Sequence, residues 1–308
     1  MREELPVLPA HPVDDRFGRD RTALRRPEVL RRTVGKGDRV RALRRMLRTR
    51  GLHTVCEEAK CPNLAECFAH RTATFMIMGK DCTRACGFCA VGTARPGPLD
   101  ADEPRQVAEA AAELDLAHVV ITSVNRDDLD DGGSGHFRAT VEAVRARLPE
   151  VTIEVLTPDF CGDLEAVRRV ARGPVDVFNH NVETVPRLQS RVRPRASYAR
   201  SLAVLETVAR EHPETTIKSG FMVGLGETVD EIYALMDDLK AHGVDIVTVG
   251  QYLRPSLKHV PVMAYLEEKA YDAFVAYGRE IGLGSVFAGP FVRSSYHAAE
   301  ALREAQGG

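Results

Sequence analysis

Thr72–Met78 reads T-A-T-F-M-I-M, and a few residues on Cys82–Cys89 reads C-T-R-A-C-G-F-C. The first stretch is a short apolar run of strand length, rich in β-branched and aromatic residues, and it predicts a buried β-strand. The second sets three thiols on a Gly-containing loop just after that strand. Three thiolates so close in sequence can hold three irons of a four-iron, four-sulfur cube and leave the fourth iron open. A closed zinc site normally brings four ligands, often as two C-x-x-C pairs, which this loop does not offer. The spacing therefore predicts an iron–sulfur cluster with a free coordination position, an arrangement suited to catalysis.

Outward from this loop, short β-branched runs alternate with longer amphipathic ones. Strands are predicted at Thr72–Met78, His118–Val124, Val151–Leu156, Val175–Phe178, Thr216–Val223 and Asp245–Val249. Helices are predicted at about 104–115, 135–148, 161–172, 196–211, 228–242 and 263–281. Glu103-Pro104 and Thr228-Val229-Asp230-Glu231 are helix starts. Strands each followed by a helix argue for a parallel α/β sheet with right-handed crossovers. Six units fall short of the eight of a closed barrel, so the fold expected is a partial, splayed (β/α)6 TIM-like barrel. Residues 1–70 form an N-terminal extension, 71–281 the barrel, and 282–308 a tail covering its open mouth. Polar residues and turn formers gather after every predicted strand, in T-S-V-N-R-D-D (122–128), T-P-D-F (157–160), N-H-N-V-E-T (179–184), G-L-G-E (224–227) and Q-Y-L-R-P (251–255). Any one of these is ordinary turn or capping chemistry. Together they point to a site at the carboxyl ends of the strands.

The chain has 308 residues, 44% hydrophobic and 28% charged, enough to bury a full core. No run of about 18 apolar residues appears, so no membrane span is expected. The start lacks a secretory h-region, and a cytoplasmic location fits, where clustered thiols bind metal or catalyse rather than form disulfides. Besides the Cys82 loop there is an upstream triplet, Cys56, Cys61 and Cys67, and a lone Cys161, read as a small, semi-buried residue. The net charge of −2 hides a basic stretch, Arg16 to Arg50, with thirteen Arg and one Lys against Asp20, Glu28 and Asp38. It reads as a solvated basic face or as a docking arm for an acidic protein domain. With Phe17 its one aromatic, nucleic acid is not the expected partner.

C-x-x-x-C-x-x-C with Phe88 before its last Cys resembles the signature of the radical S-adenosylmethionine superfamily. The C-x4-C-x5-C triplet upstream, T-S-V-N-R-D-D, N-H-N-V-E-T, K-S-G-F-M-V-G-L-G-E (218–227), Gln251–Ser256 and R-S-S-Y (293–296) together resemble the lipoyl synthase family. The likeness runs in order over roughly residues 25–300. Phe68 departs from it, standing where the family usually has Trp.

The resemblance implies that the open iron of the Cys82/Cys86/Cys89 cluster chelates S-adenosylmethionine and cleaves it to methionine and a 5′-deoxyadenosyl radical. Phe88, Thr122, Ser123, Asn125, Asn181, Gly224 and Gly226 are the candidate cofactor contacts: the Thr, Ser and Asn125 for its amino and carboxylate groups, Asn181 for its ribose. It further implies a second four-iron cluster on Cys56, Cys61 and Cys67, with Ser295 as an exchangeable fourth ligand and Ser294 as the alternative. Sulfide from that cluster is inserted at C6 and C8 of a protein-bound octanoyl chain. The implied partners are an octanoylated lipoyl carrier domain or glycine cleavage H protein, and an electron donor such as flavodoxin or ferredoxin.

Two rival readings stand beside this one. Another sulfur-inserting radical enzyme, similar to biotin synthase or a methylthiotransferase, would lack the upstream triplet. A zinc-binding adaptor would be non-catalytic. Histidines 53, 136, 180 and 259 are read as hydrogen-bonding rather than ligating residues.

Overall fold

Every residue of Thr72–Ile77 is buried, as a parallel strand covered on both faces requires. The computed structural model describes residues 6–8, 26–30, 45–47, 49–58 and 63–305. In chain order the strands are β1 (His53–Thr54), β2 (Thr72–Ile77), β3 (Asp81–Cys82), β4 (Gly92–Thr93), β5 (His118–Ser123), β6 (Thr152–Leu156), β7 (Val177–Asn179), β8 (Thr216–Val223), β9 (Ile246–Gln251) and β10 (Ser285–Gly289). The helices are α1 (Val55–Glu58), α2 (Leu64–Ala69), α3 (Glu103–Glu113), α4 (Ser134–Arg147), α5 (Leu164–Ala171), α6 (Gln189–Val192), α7 (Tyr198–Glu211), α8 (Val229–Ala241), α9 (Glu268–Glu280) and α10 (Ala298–Ala305).

One sheet runs in the order β1-β2-β5-β6-β7-β8-β9-β10. From β2 to β10 every pairing is parallel; β1 is antiparallel at the edge. Since β1 and β10 do not pair, the sheet is an open, partial barrel of the α/β class, as expected. The six predicted strands are all present, their ends within two residues of the expected ones. A seventh parallel strand, β10, joins them from the segment read as tail. Its core run is only S-V-F-A-G, and all but Ser285 stay partly exposed, so the apolar pattern is faint. Local chemistry sets the helix bounds. Pro104 opens α3, and Thr228 with Glu231 forms a reciprocal capping box on α8.

The open seam is bridged from both sides. Asn63, at the start of α2, donates through Nδ2 to the carbonyl of Phe291 at 2.6 Å, and α2 faces the tail and α10 across a shared cavity. Inside the barrel the Glu154 carboxylate is fully buried and accepts from Lys218 Nζ at 3.1 Å, Asn179 Nδ2 at 3.0 Å and His118 Nε2 at 3.3 Å. Burial, the largest influence, pushes the Glu154 pKa up, but the Lys218 charge together with His118 and the Asn179 hydrogen bond outweighs it and holds it at about 2. Among the described residues no helix is long and apolar enough to cross a membrane.

Candidate active site

The Cys82 loop is held at both ends by the short β3–β4 pairing. The Cys82 sulfur is buried and accepts the backbone N–H groups of Arg84 and Asn125, each at 3.4 Å. At the loop's tip Gly87 donates to the carbonyl of Val192 and accepts from Val260 N–H, both at 2.9 Å. A Cβ at Gly87 would lie 2.8 Å from Val260 Cγ1, so only glycine lets the two neighbours close on it. His259 Nε2 reaches the Cys89 carbonyl at 2.9 Å. Phe88 packs against the core.

Burial pushes the Cys86 thiol up to about 11 and the Cys89 thiol up to about 12; Arg193 opposes the shift at Cys86. The pair thus stays protonated on its own, and a soft metal must displace those protons to bind. Among the described residues no three His, Cys, Asp or Glu side chains close around a single ion, whereas the thiolates of a cube each take a different iron. Three thiols on a rigid, half-buried loop fit the cluster.

Around this loop the strand ends carry buried polar atoms with no hydrogen-bond partner: Ser123 Oγ, Asn125 Oδ1, Thr157 Oγ1 and Asn181 Oδ1. Such atoms are costly unless something pairs with them, and a polar co-substrate lying across the ends of β5, β6 and β7 would do so. Ser123, Asn125 and Asn181 are among the expected contacts; Thr157 is an addition from a loop the sequence had marked. Thr122 differs, since its hydroxyl donates to the Leu156 carbonyl at 2.8 Å and ties β5 to β6. Gly224 and Gly226 both have left-handed φ, +93° and +108°. A Cβ on Gly224 would sit 2.2 Å from Gln251 Nε2 and 2.4 Å from the Ala264 carbonyl, so the close approach there is made by the chain itself.

The tail reaches the same region. Asn181 Nδ2 donates to Ser294 Oγ at 2.7 Å and to Glu183 Oε1 at 3.1 Å. Burial raises the Glu183 pKa. A Cβ at Gly250 would fall 2.3 Å from the Val292 carbonyl, so the tail seats directly on β9. Ser295 is half-buried, and its hydroxyl bonds to none of the described residues. Tyr296 Oη donates to Glu66 Oε1 at 2.8 Å, which places R-S-S-Y against the helix bearing Cys67. Cys67 lines a cavity of about 120 Å³ with Glu66, His70, Tyr296, His297 and Arg303 among its neighbours. Of Cys56 the backbone is described, in α1; Cys61 lies outside the described residues, as do Arg41, Arg44 and Arg48 of the basic arm. Arg50 pairs with Glu109 and Glu113 on α3 at 3.1 and 2.6 Å and so braces the fold.

Cys161 is exposed rather than semi-buried, with left-handed φ +55°, and its sulfur lies 3.2 Å from Arg84 Nη2. Sequence reading passed over Arg84, Asp127 and Asp159, which form a buried ion cluster beside the Cys82 loop. Their signal was position: one lies inside the triplet and two inside the polar strand-end runs. The four histidines form hydrogen bonds, as read. His180 is buried, with Nδ1 on the Thr157 carbonyl at 2.9 Å and Nε2 on Ser201 Oγ at 3.0 Å.

Residues 76–239 match the radical SAM superfamily. The chain is similar to the lipoyl synthase of Methylococcus capsulatus, 53% identical over 89% of this chain and 86% of that protein. It is also similar to the lipoyl synthase of Rubrobacter xylanophilus, 50% identical over 99% of this chain and 97% of that protein. Among solved structures, methylornithine synthase superposes with a TM-score of 0.55 at 13% identity, covering 78% of this chain and 69% of that one. At that identity the likeness speaks for the fold alone.

Proposed function

The chain belongs to the lipoyl synthase family of radical S-adenosylmethionine enzymes, and on that premise we propose how its own residues carry the family's reaction. It is a radical S-adenosylmethionine sulfurtransferase that inserts two sulfur atoms, at C6 and C8, into a protein-bound octanoyl chain. A four-iron cluster and S-adenosylmethionine come with the superfamily.

We assign that cluster to Cys82, Cys86 and Cys89. When bound there and reduced, it supplies the electron that cleaves S-adenosylmethionine and so opens hydrogen abstraction from an unactivated methylene. The chain's work is to hold and exclude. Ser123, Asn125, Thr157 and Asn181 offer their unpaired polar atoms to the co-substrate across three strand ends. The tail, seated on β9 and bonded to Asn181, covers the mouth against water.

We assign a second cluster to Cys56, Cys61 and Cys67, with Ser295 as its fourth ligand and its sulfides as the sulfur inserted. A hard hydroxyl is a weaker partner for iron than thiolate and suits a ligand that must leave. The single observation carrying this assignment is the meeting of R-S-S-Y with both halves of the site: Ser294 on Asn181 at a strand end, Tyr296 on Glu66 beside Cys67. Ser294 is engaged while Ser295 is not, which favours Ser295. The extension (1–70) then serves as sulfur source, the barrel, which takes in β10 (Ser285–Gly289), as radical source, and the tail after β10 as cover. The substrate is an octanoylated lipoyl carrier domain or glycine cleavage H protein. Flavodoxin or ferredoxin supplies electrons, and a reducing cytoplasm keeps the six thiols free.

The test is anaerobic turnover of an octanoylated carrier domain, with mass detection of two added sulfurs and of 5′-deoxyadenosine. Cys82→Ala abolishes both products. Cys61→Ala still yields 5′-deoxyadenosine but adds no sulfur; lipoylated product from it would overturn the second-cluster assignment.

A further inference from the structure

Arg84 sits between two cluster cysteines, yet its side chain turns away from solvent and is 3% exposed. Its Nε and Nη2 grip Asp127 Oδ2 and Oδ1 at 2.7 and 2.8 Å in a bidentate pair. The same Nη2 lies 2.7 Å from Asp159 Oδ1, whose side chain is fully buried. Asp127 follows β5 and Asp159 follows β6, so one guanidinium ties the cluster loop to two strand ends. Thr83 adds backbone stitching, its N–H and hydroxyl both donating to the Asn125 carbonyl, at 3.2 and 3.0 Å. Asn125 N–H in turn donates to the Cys82 sulfur. Arg200 Nη1, 3.1 Å from Asp159 Oδ2, completes a four-charge cluster that is balanced overall. Against the cost of burial, Arg84 holds both carboxyls below the usual carboxylate range, so removing any one member leaves an uncompensated charge beside the thiolates.

We propose that Arg84 is the positioning residue of the radical-cluster loop: through Asp127 and Asp159 it clamps Cys82–Cys89 onto the ends of β5 and β6, and its charge helps set the reduction potential of the cluster held there. This rests on Cys82, Cys86 and Cys89 being that cluster's ligands. Lysine cannot replace it, since a point charge lacks the fork that engages two carboxylates at once. An added electron is disfavoured when a nearby positive charge is lost and favoured when a negative one is lost. Changes at Arg84 and at Asp159 therefore move the potential in opposite directions, whereas a merely structural role would damage the site in one direction only.

The experiment uses the full chain with Cys56, Cys61 and Cys67 replaced by Ala, reconstituted anaerobically with iron and sulfide, so that about four irons per chain report on one cluster. Iron content and an electron-paramagnetic-resonance redox titration at pH 8 are read for this parent and for R84Q, R84K and D159N, with circular dichroism as a folding control. A parent that takes no iron would defeat the ligand assignment itself, separately from the role of Arg84. Expected are at least a twofold loss of iron and a lower midpoint in R84Q, a twofold loss of iron with a near-parent midpoint in R84K, and a higher midpoint in D159N. Should R84Q fail to fold or to take iron, R84K and D159N decide. Parent-like iron in R84K, or a midpoint in D159N that falls or stays unchanged, would overturn the proposal.

Discussion

The side-chain amide of Asn181 donates to the hydroxyl of Ser294 at 2.7 Å across 113 residues of chain. It joins the end of β7, in the middle of the sheet, to the tail that follows β10 at its edge. One bond thus connects a strand end proposed to meet the co-substrate with the segment proposed to carry a ligand of the second cluster. It also separates the roles of two adjacent serines, since only Ser294 is occupied by it.

Ser295→Ala is expected to abolish sulfur insertion while 5′-deoxyadenosine still forms, and Ser294→Ala to keep both products with a loosened tail. Product mass and amide hydrogen exchange over 291–297 check this. Insertion that survives in S295A and is lost in S294A would reverse the assignment.

Gly224 and Gly79 have nearly equal φ, +93° and +88°, but nothing lies within 4 Å of a Cβ built on Gly79. Gly79→Ala is expected to cost only the backbone penalty, about 1–2 kcal/mol. Gly224→Ala must also displace Gln251 and the 264 carbonyl, and is expected to cost more than about 3 kcal/mol. Urea titrations of both variants compare them directly.

Lys218 and Glu154 are both about 1% exposed. Lys218→Met strands a buried carboxylate and is expected to cost about 3–5 kcal/mol. The double variant K218M/E154Q removes both charges and is expected to recover much of that loss, read as a non-additive double-mutant cycle in chemical denaturation.

Burial, with the Arg193 charge in the same direction, lowers the His180 pKa from 6.5 to about 4. Below pH 6.5 the unfolded chain takes a proton that the folded chain refuses, so stability falls as pH drops from 6.5 to about 4 and levels below that. The contribution at stake is about 3 kcal/mol. Stability of His180→Gln measured from pH 7 to 4 is expected to show a shallower slope; an unchanged slope would assign the acid sensitivity elsewhere.

The basic stretch before residue 50 is expected to steer an acidic carrier. Neutralising Arg41, Arg44, Arg45 and Arg48 together should weaken carrier turnover several-fold at low salt and little at high salt. A short octanoyl-lysine peptide should react normally, because it has no acidic surface to steer. Equal losses on both substrates would defeat the docking role.

Much of this was legible in one dimension because the signals are local. The apolar run of β2, the three-thiol loop after it and the polar residues behind each strand depend on neighbours in sequence, and parallel βα order follows from their alternation. Strand β10 escaped because its residues are only partly buried, which thins the pattern that marks a strand. The donation from the Thr122 hydroxyl to the Leu156 carbonyl was not legible for a similar reason: in sequence a threonine at a strand end looks the same whichever neighbour it bonds.

Residue spacing by itself determined the α/β barrel, the three-thiol loop and the family resemblance, since each rests on chemistry within a few positions along the chain. Only the tertiary structure decided which groups meet: Arg84 with Asp127 and Asp159, Asn181 with Ser294, Glu66 with Tyr296. Those partners lie 43 to 230 residues apart. Hydrogen bonds and ion pairs act over about 3 Å in space, and nothing in linear order encodes such a distance until the sheet has brought its strand ends together.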